Sequence, residues 1–266
     1  MATKVTEKKA RNTHMTAPAS VSIDPAELEK FRAMAAEWWD PNGKFRPLHK
    51  FNPIRLAFLR QTLVSHFGLD DARTKPLEGL RVLDIGCGGG LVSEPMARLG
   101  ARMTSVDAGE ANIKTAAAHA ADARLDIDYR VGTAEGLIAS GEPAFDVVLN
   151  LEVVEHVADA GRFLEDTASL VAPGGLMVVA SINRTSKAFA LAIVGAEYVL
   201  GWLPRGTHEF HKLVKPEEVR RALENAGFRV DRPVGVSFNP LMDKWSLTDD
   251  TMVNYMCVAY RPGQQR

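Results

Sequence analysis

The sequence has few cysteines, no excess of charge of one sign and no long apolar run. Its two cysteines, Cys87 and Cys257, cannot form a disulfide framework and fit a reducing compartment. With 32 basic and 33 acidic residues the formal net charge is −1, so the chain lacks the basic field that non-specific nucleic-acid binding needs. No apolar run reaches about 18 residues and no signal-peptide core is found. We therefore expect a cytoplasmic protein without a transmembrane helix and without a nucleic-acid partner.

The sequence does have a glycine-rich loop after a predicted strand. Apolar residues up to Ile85 predict a buried parallel strand, and the loop 86–90 then leads into a predicted helix. Such a turn brings backbone N–H groups close to a ligand. Asp107 ends the next apolar stretch, about 20 residues after Gly86, where nucleotide-binding folds place a ribose-binding acid. The sequence therefore predicts a site for an adenosine-containing ligand.

The glycine spacing argues against a dinucleotide. A dinucleotide fingerprint has glycine at its first, third and sixth positions, but counted from Gly86 the sixth position is Leu91. No Lys or Arg in 86–96 could neutralise a pyrophosphate, and Asp84 would repel phosphate. An acid at that position suits a ligand with an ammonium group, such as S-adenosylmethionine. A nicotinamide dehydrogenase is the weaker hypothesis, and a tight turn without a ligand is the remaining alternative.

Strands that alternate with helices predict an α/β fold with a parallel sheet covered on both faces. We expect a disordered tail at 1–22 and a single domain at 23–266, with an N-terminal helical cap at 23–78. The expected strands are 81–85, 102–107, 127–131, 145–151 and 175–182. The expected helices are 25–39, 52–67, 90–99, 109–121, 159–171 and 215–226. Two late β-rich stretches, 229–238 and 252–260, predict an antiparallel hairpin at the sheet edge.

Two carboxylates and an imidazole follow the fourth predicted strand, where such sheets place their active sites. Glu152, Glu155 and His156 could hold a divalent cation through oxygen and nitrogen ligands. Alternatively, Glu155 and His156 orient the following loop and Glu152 contacts the substrate. Without a metal, His156 is the candidate general base. The residues leave both interpretations open, because histidine is an unusual ligand for magnesium.

Further motifs follow the glycine loop and Asp107 in a fixed order. They are the strand Phe145-Asp146-Val147-Val148 and the turn Pro173-Gly174-Gly175. In this order they resemble class I S-adenosylmethionine-dependent methyltransferases. The resemblance implies a Rossmann-like α/β fold with a mostly parallel seven-stranded sheet, an antiparallel edge strand, an N-terminal helical cap and a helical insertion after strand five.

A second group of motifs covers nearly the whole chain from Phe31. They are Trp38-Trp39-Asp40, Pro47-Leu48-His49, Asn52-Pro53-Ile54-Arg55, Glu152-Val153-Val154-Glu155-His156-Val157, Val194-Gly195-Ala196-Glu197-Tyr198, Gly206-Thr207-His208 and Val253-Asn254-Tyr255-Met256. They resemble the ubiquinone-biosynthesis O-methyltransferases. The resemblance implies methylation of ring hydroxyls of polyprenylated phenols and catechols at two steps, one from demethylubiquinol to ubiquinol and one from a polyprenyl hydroxyphenol to its methoxy form. A related enzyme with another small-molecule acceptor is the alternative.

The expected site follows from these patterns together. Asp107 should accept the ribose hydroxyls, Gly86 and Gly88 should let the backbone approach the methionine part, and the backbone of Leu151 should contact the cofactor. The resemblance adds Arg55 to the cofactor site and a magnesium ion to Glu152, Glu155 and His156. From the residues alone, Arg55 would be a surface side chain. Trp38 and Trp39 are expected to pack in the core or in a lid.

The segment 183–212 is the expected substrate or membrane insertion. Residues 188–203 are apolar apart from Glu197 and the Tyr198 hydroxyl, and they are too few to span a bilayer. The flanking cations are Arg184, Lys187 and Arg205. The segment either lies on the inner face of a membrane near anionic lipids, covering a polyprenyl tail, or packs over the active site as a buried helix. A biosynthetic complex is a further expected partner.

Overall fold

The structure, a computed structural model, describes residues 22–191, 209–239 and 242–263. Most of the expected insertion, at 192–208, lies outside these ranges, as does the expected disordered tail except for Ser22. Ser22 is buried, and its backbone N–H donates to Oε1 of Glu135 over 3.2 Å.

Nine described strands form one mixed sheet. They are β1 (Arg81–Ile85), β2 (Arg102–Asp107), β3 (Asp128–Val131), β4 (Phe145–Leu151), β5 (Val171–Ile182), β6 (Arg229–Val230), β7 (Val234–Asn239), β8 (Lys244–Thr248) and β9 (Asn254–Tyr260). The strand order is β3-β2-β1-β4-β5-β9-β7-β8, and β6 pairs with β9. β1 to β5 run parallel, whereas β9 pairs antiparallel with both β5 and β7. The order reverses between β1 and β4, which is where open α/β sheets bind ligands.

The described helices flank this sheet and precede it. They are α1 (Pro25–Met34), α2 (Arg46–Phe67), α3 (Ser93–Arg98), α4 (Glu110–Asp122), α5 (Ala134–Ala139), α6 (Ala160–Ser169), α7 (Ser186–Ala188) and α8 (Pro216–Asn225). Within the described ranges, no helix combines the length and apolar character that crossing a membrane requires.

The core has one apolar cluster on each face of the sheet. Leu83 and Val148 belong to the cluster that includes residues of α6 and α8, whereas Val82 and Val147 belong to the cluster with α2. Neighbouring residues of a strand point to opposite faces. The strands are therefore buried on both sides, as their continuous apolar runs predict.

Both cap helices differ in length from the prediction. α1 begins as expected with Asp24 as its N-cap and Pro25 in its first turn, but a tighter 3-10 turn, Ala35–Glu37, replaces its last residues. α2 begins at Arg46 rather than near residue 52. Pro53 suggested a helix start, but it lies inside α2. Burial of apolar residues on that helix, such as Leu59 and Leu63, outweighs the missing backbone hydrogen bond.

The sheet has nine strands instead of the seven expected. The stretch 229–238 divides into β6 and β7, and β8 was not predicted. The expected hairpin between the two late stretches is wrong, because β9 lies inside the sheet and β7 forms its hairpin with β8. The class of fold is confirmed, with five parallel strands and an antiparallel extension.

Candidate active site

A cavity of about 640 Å³ lies at the carboxyl ends of the parallel strands. The residues at the ends of three strands line it, namely Ile85, Asp107 and Leu151. The cap helices α1 and α2 and the strands β7 and β8 supply the other sides. The cavity therefore occupies the point where the strand order reverses.

The glycine loop after β1 folds tightly against the cap. Gly86 and Gly88 have φ angles of 71° and 52°, a region that side chains other than glycine rarely adopt. A Cβ atom on Gly88 would lie 2.4 Å from Cζ2 of Trp38. Trp38 is buried and its ring stacks on Phe45 with centroids 3.7 Å apart. Trp38 therefore packs in an apolar cluster between the cap and the glycine loop, and core packing was one of the two placements expected.

Asp107 is the centre of a hydrogen-bond network at the end of β2. Its carboxylate accepts from the backbone N–H groups of Gly88 (2.9 Å) and Gly109 (2.7 Å) and from Nδ2 of Asn112 (3.0 Å). Burial raises the pKa of Asp107, while these hydrogen bonds oppose the rise. Trp38 donates from Nε1 to Oδ1 of Asn112 over 3.0 Å. The network therefore joins the glycine loop, β2 and the cap.

Arg55 lies inside the protein rather than on its surface. It is 3% exposed, lines the cavity, and donates from Nε and Nη2 to Oδ1 of Asn52. Burial lowers the pKa of Arg55, and the charges of Glu152 and Asp84 counteract this effect. The buried guanidinium is therefore held beside two acids at the ends of β4 and β1.

Asp84 is the acid before the glycine loop. Burial raises its pKa to about 6, although a hydrogen bond from Ser93 and the charge of Arg55 both favour the ionised form. The Ser93 hydroxyl donates to Oδ2 of Asp84 over 2.6 Å. Asp84 lines the cavity, so its carboxyl group is placed to interact with a charged ligand.

The end of β4 presents Glu152 to the cavity in a strained conformation. Its φ of 56° is left-handed, which costs a residue other than glycine about 1–3 kcal/mol. The next residue, Val153, packs closely against Gly86. A Cβ atom on residue 86 would lie 2.4 Å from Cγ2 of Val153. Close packing between the loops after β1 and β4 therefore accompanies the strained backbone. Such strain is typical of functional sites.

Glu155 is buried behind this loop and does not line the cavity. The Ser181 hydroxyl on β5 donates to its Oε2 over 3.0 Å. Burial and the charge of Glu152 raise its pKa well above the usual range. Glu155 therefore joins the 3-10 turn Val154–His156 to β5 through a buried hydrogen bond.

His156 lines the cavity and contacts α1. Its Nδ1 lies 2.9 Å from Oε2 of Glu27, and its ring meets Phe31 edge-on with centroids 5.1 Å apart. Burial alone would raise the pKa of Glu27, but the hydrogen bonds from His156 and Lys30 lower it to about 2. An ionised carboxylate therefore holds the imidazole at the cavity wall.

Lys212 connects this pair to the far end of the insertion. Its Nζ lies 2.8 Å from Glu209, 2.9 Å from Asp24 and 3.4 Å from Oε1 of Glu27. These carboxylates raise the pKa of Lys212. The ion pairs therefore link α1 to the C-terminal end of the insertion.

A family model described as a methyltransferase domain matches residues 57–232. A ubiquinone biosynthesis O-methyltransferase of Maricaulis maris is 68% identical over 241 residues, which cover 91% of this chain and 94% of that protein. One from Parvibaculum lavamentivorans is 62% identical, covering 91% and 96%. The chain belongs to the ubiquinone biosynthesis O-methyltransferase family. The predicted family and enzyme class are confirmed.

The structure of this methyltransferase also resembles solved structures of more distant sequence. The magnesium protoporphyrin IX methyltransferase of Synechocystis PCC 6803, solved with bound SAH, superposes with a TM-score of 0.60. The two are 19% identical, and the match covers 88% of this chain and 94% of that chain. This likeness establishes the shared fold.

The expected magnesium ligands of the methyltransferase do not converge in the structure. Glu155 is directed to Ser181 and His156 to Glu27, while only Glu152 and His156 of the three line the cavity. In the described part of the chain, no group of three or more His, Cys, Asp or Glu residues is placed to hold a metal ion. The residues present do not fit a three-ligand magnesium site.

Several residues named in the sequence analysis line the cavity, whereas the contribution of α1 was not expected. Arg55, Gly86, Gly88, Asp107, Leu151, Glu152 and His156 all line the cavity. Glu27 was missed, although it shares a helix face with Phe31, four residues later. A single acid on a partly apolar helix face is the signal that could have drawn attention to it.

Proposed function

We propose that this methyltransferase transfers the methyl group of S-adenosylmethionine to a ring hydroxyl of a polyprenylated phenol or catechol in ubiquinone biosynthesis. The names of the relatives support the pathway. The observation that carries the proposal is one cavity that contains cofactor-type residues around Asp107 and, beyond them, a carboxylate-held histidine.

In this proposal the cofactor lies along the ends of β2, β1 and β4. Asp107 accepts the ribose hydroxyls, and Gly86 and Gly88 allow the methionine part to approach the backbone. Arg55 pairs with the methionine carboxylate, since a guanidinium binds a carboxylate through two hydrogen bonds. Asp84 faces the ammonium group. The backbone of Leu151 completes the cofactor site.

Methyl transfer is a displacement at carbon. The acceptor oxygen attacks the methyl carbon, the carbon–sulfur bond breaks, and its electron pair remains on sulfur, which becomes neutral. Because the sulfonium is already a good leaving group, alignment of the two reactants supplies much of the acceleration. A phenol with a pKa near 10, by analogy with tyrosine, is mostly protonated at neutral pH. The acceptor therefore needs a base.

We assign the base to His156. Because Nδ1 faces the Glu27 carboxylate at 2.9 Å, the neutral imidazole carries its proton on Nδ1 and Nε2 is the acceptor nitrogen. Nε2 then takes the phenolic proton as the oxygen attacks the methyl group. Glu27 orients the ring and stabilises the imidazolium that forms.

A substitution at His156 tests this assignment. His156→Ala should lower kcat by about 100-fold or more and leave the affinity for S-adenosylmethionine nearly unchanged. The control is His211→Ala, since the His211 side chain is 76% exposed. An equal loss of turnover and of cofactor affinity in His156→Ala would remove the base assignment.

A mass-spectrometric methylation assay tests the function itself. The enzyme is incubated with S-adenosylmethionine and a short-tailed demethylubiquinol that is kept reduced, once with magnesium and once with a chelator. We expect methylated product in both samples. Product in the magnesium sample and none in the chelator sample would favour the metal hypothesis for Glu152, Glu155 and His156. No product in either sample, with cofactor binding intact, would favour another small-molecule acceptor.

Peripheral membrane contact through the insertion is a second proposal. Among the described residues, Phe189 and Leu191 at its start are 45% and 55% exposed. Two of its flanking cations are already paired, Arg184 with Glu218 and Lys187 with Asp250, so apolar insertion would contribute more than charge. Deletion of 188–203 should abolish sedimentation with anionic liposomes, and unchanged binding would contradict the proposal.

A further inference from the structure

The hairpin of β7 and β8 has one apolar face and one polar face. In its register Val236 pairs with Leu247 and Phe238 pairs with Trp245. Paired residues, and residues two apart, lie on the same side of a sheet. These four side chains therefore form one face. The opposite face carries Ser237, Asn239, Lys244, Ser246 and Thr248.

Three aromatic rings meet where this apolar face approaches α2. The Trp245 ring lies 5.2 Å from the Phe51 ring and 5.2 Å from the Phe238 ring, centroid to centroid. An ion pair between Lys50 and Asp243, at 2.7 Å, holds the end of the hairpin against α2. All three rings line the cavity, and Phe238 and Trp245 are only partly buried. The rings therefore form an aromatic surface in contact with the cavity.

The strand order places this surface on the acceptor side of the site. Asp107 ends β2, and four strands, β1, β4, β5 and β9, separate β2 from β7. Glu152 and His156, which follow β4, lie between the two ends. One continuous cavity reaches from Asp107 to Trp245. A cofactor with its ribose at Asp107 therefore leaves the β7 end for the acceptor.

The acceptor of the proposed reaction has a polar ring and an apolar chain. Its ring hydroxyl must reach His156, and its chain must leave the reaction centre along an apolar path. Phe51 precedes Arg55 by one helical turn. The guanidinium carbon of Arg55 lies 5.1 Å from the centroid of the Phe51 ring. The aromatic surface thus begins beside the buried Arg55. On the far side, a small second hollow touches Phe238 and Trp245 beside Arg46, Pro47 and Lys50.

We propose that Phe51, Phe238 and Trp245 bind the isoprenoid chain of the substrate. This inference rests on the proposed function and adds the residues that recognise the chain. Apolar contact with the three rings gives affinity in proportion to the chain surface that is buried. The chain therefore contributes to substrate binding, while the chemistry at the ring hydroxyl is independent of it.

The test compares two demethylubiquinols, one with a long isoprenoid chain and one whose chain is replaced by a methyl group. Trp245→Ala should raise KM for the long-chain substrate about tenfold, and leave kcat and the KM of the methyl analogue within about twofold. Leu247→Ala is the matched control, because Leu247 lies on the same hairpin face but does not line the cavity. It should leave both KM values unchanged.

A second measurement separates chain binding from damage to the fold. A long isoprenoid alcohol should inhibit the wild type competitively against the long-chain substrate, with about tenfold less potency against Trp245→Ala. Trp245→Phe should restore most of the potency. The inference would be overturned if Trp245→Ala raised KM equally for both substrates. It would also be overturned if the isoprenoid alcohol inhibited Trp245→Ala as strongly as the wild type. Failure of the wild type to methylate either substrate would instead overturn the proposed function and this inference with it.

Discussion

The carboxyl group of Asp84 is half-protonated near pH 6, because burial raises its pKa. A ligand with an ammonium group favours the ionised form. Affinity for S-adenosylmethionine should therefore fall as the pH is lowered through 6. With a pKa of about 6, roughly one carboxyl in ten is ionised at pH 5, so we expect about tenfold weaker binding at pH 5 than at pH 7. Calorimetric titration at the two pH values measures this change.

Asp84→Asn is the control for this titration. The variant should bind more weakly at pH 7 and lose most of the pH dependence. The pKa of Asp107 is also raised by burial. A full pH dependence that persists in Asp84→Asn would therefore assign the titration to Asp107 and contradict the prediction.

Single residues of the site were predictable where one strand determines their place. Asp107 and Leu151 end apolar strands, and Gly86 and Gly88 belong to a loop whose geometry requires glycine. The role of Glu27 could not be read from the sequence, because it depends on a contact with His156 across 129 positions of the chain. Arg55 was placed in the site by resemblance alone, since periodicity does not reveal which side of a cap helix faces a cavity.

At the level of elements, ion pairs contribute to the docking of α1. Only Glu27 and Met34 of its ten residues are buried, and Phe31 is partly buried against the same apolar cluster as Met34. Lys212 binds Asp24 at the start of α1 and Glu27 one turn later. Elements with few buried apolar contacts open locally at low free-energy cost. The ion pairs of Lys212 should therefore control how long Glu27 stays against His156.

Lys212→Met should loosen α1. We expect amide hydrogen exchange in Pro25–Met34 to become about five- to tenfold faster, because partly exposed ion pairs each contribute up to about 1 kcal/mol. The kcat should fall severalfold while cofactor affinity stays constant. Lys114→Met is the control, since Lys114 pairs with Glu110 on an exposed face. Unchanged exchange in α1 would show that other contacts hold the helix.

Elements with strong periodicity were predicted well and those that depend on tertiary contacts were not. α4, α6 and α8 lie within two residues of their predicted bounds, because apolar residues recur at helical spacing in each of them. β8 was missed, since three of its five residues are exposed and its stability depends on tertiary contacts with β7 and α2. α5 was missed because six residues are too few for a periodic signal.

At the level of the whole molecule, the cavity joins parts of the chain that the sequence separates. Its lining combines the cap, the carboxyl ends of the parallel strands and the antiparallel hairpin. The parallel half of the sheet could be predicted from strand–helix alternation. The antiparallel half is built on the pairing of β9 with β5, and no local sequence pattern indicates that these two strands are partners. The cofactor end of the cavity was therefore the more predictable end.

A ligand that touches the cap and the sheet together should stabilise the whole fold. S-adenosylmethionine bound between Arg55 on α2 and Asp107 on β2 would make such contacts. At a free concentration of 100 times its Kd it adds about 2.7 kcal/mol to the free energy of unfolding, a rise in Tm of roughly 5–10 °C for a domain of this size. Thermal denaturation with and without the cofactor measures the rise.

Asp107→Ala should abolish this rise in Tm at the same cofactor concentration, because the ribose loses its acceptor. The exposed Asp243, which pairs with Lys50 at the hairpin, offers the matched acid, and Asp243→Ala should keep the full rise. An unchanged Tm of the wild type at 100 times the Kd would contradict binding of the cofactor to the folded protein.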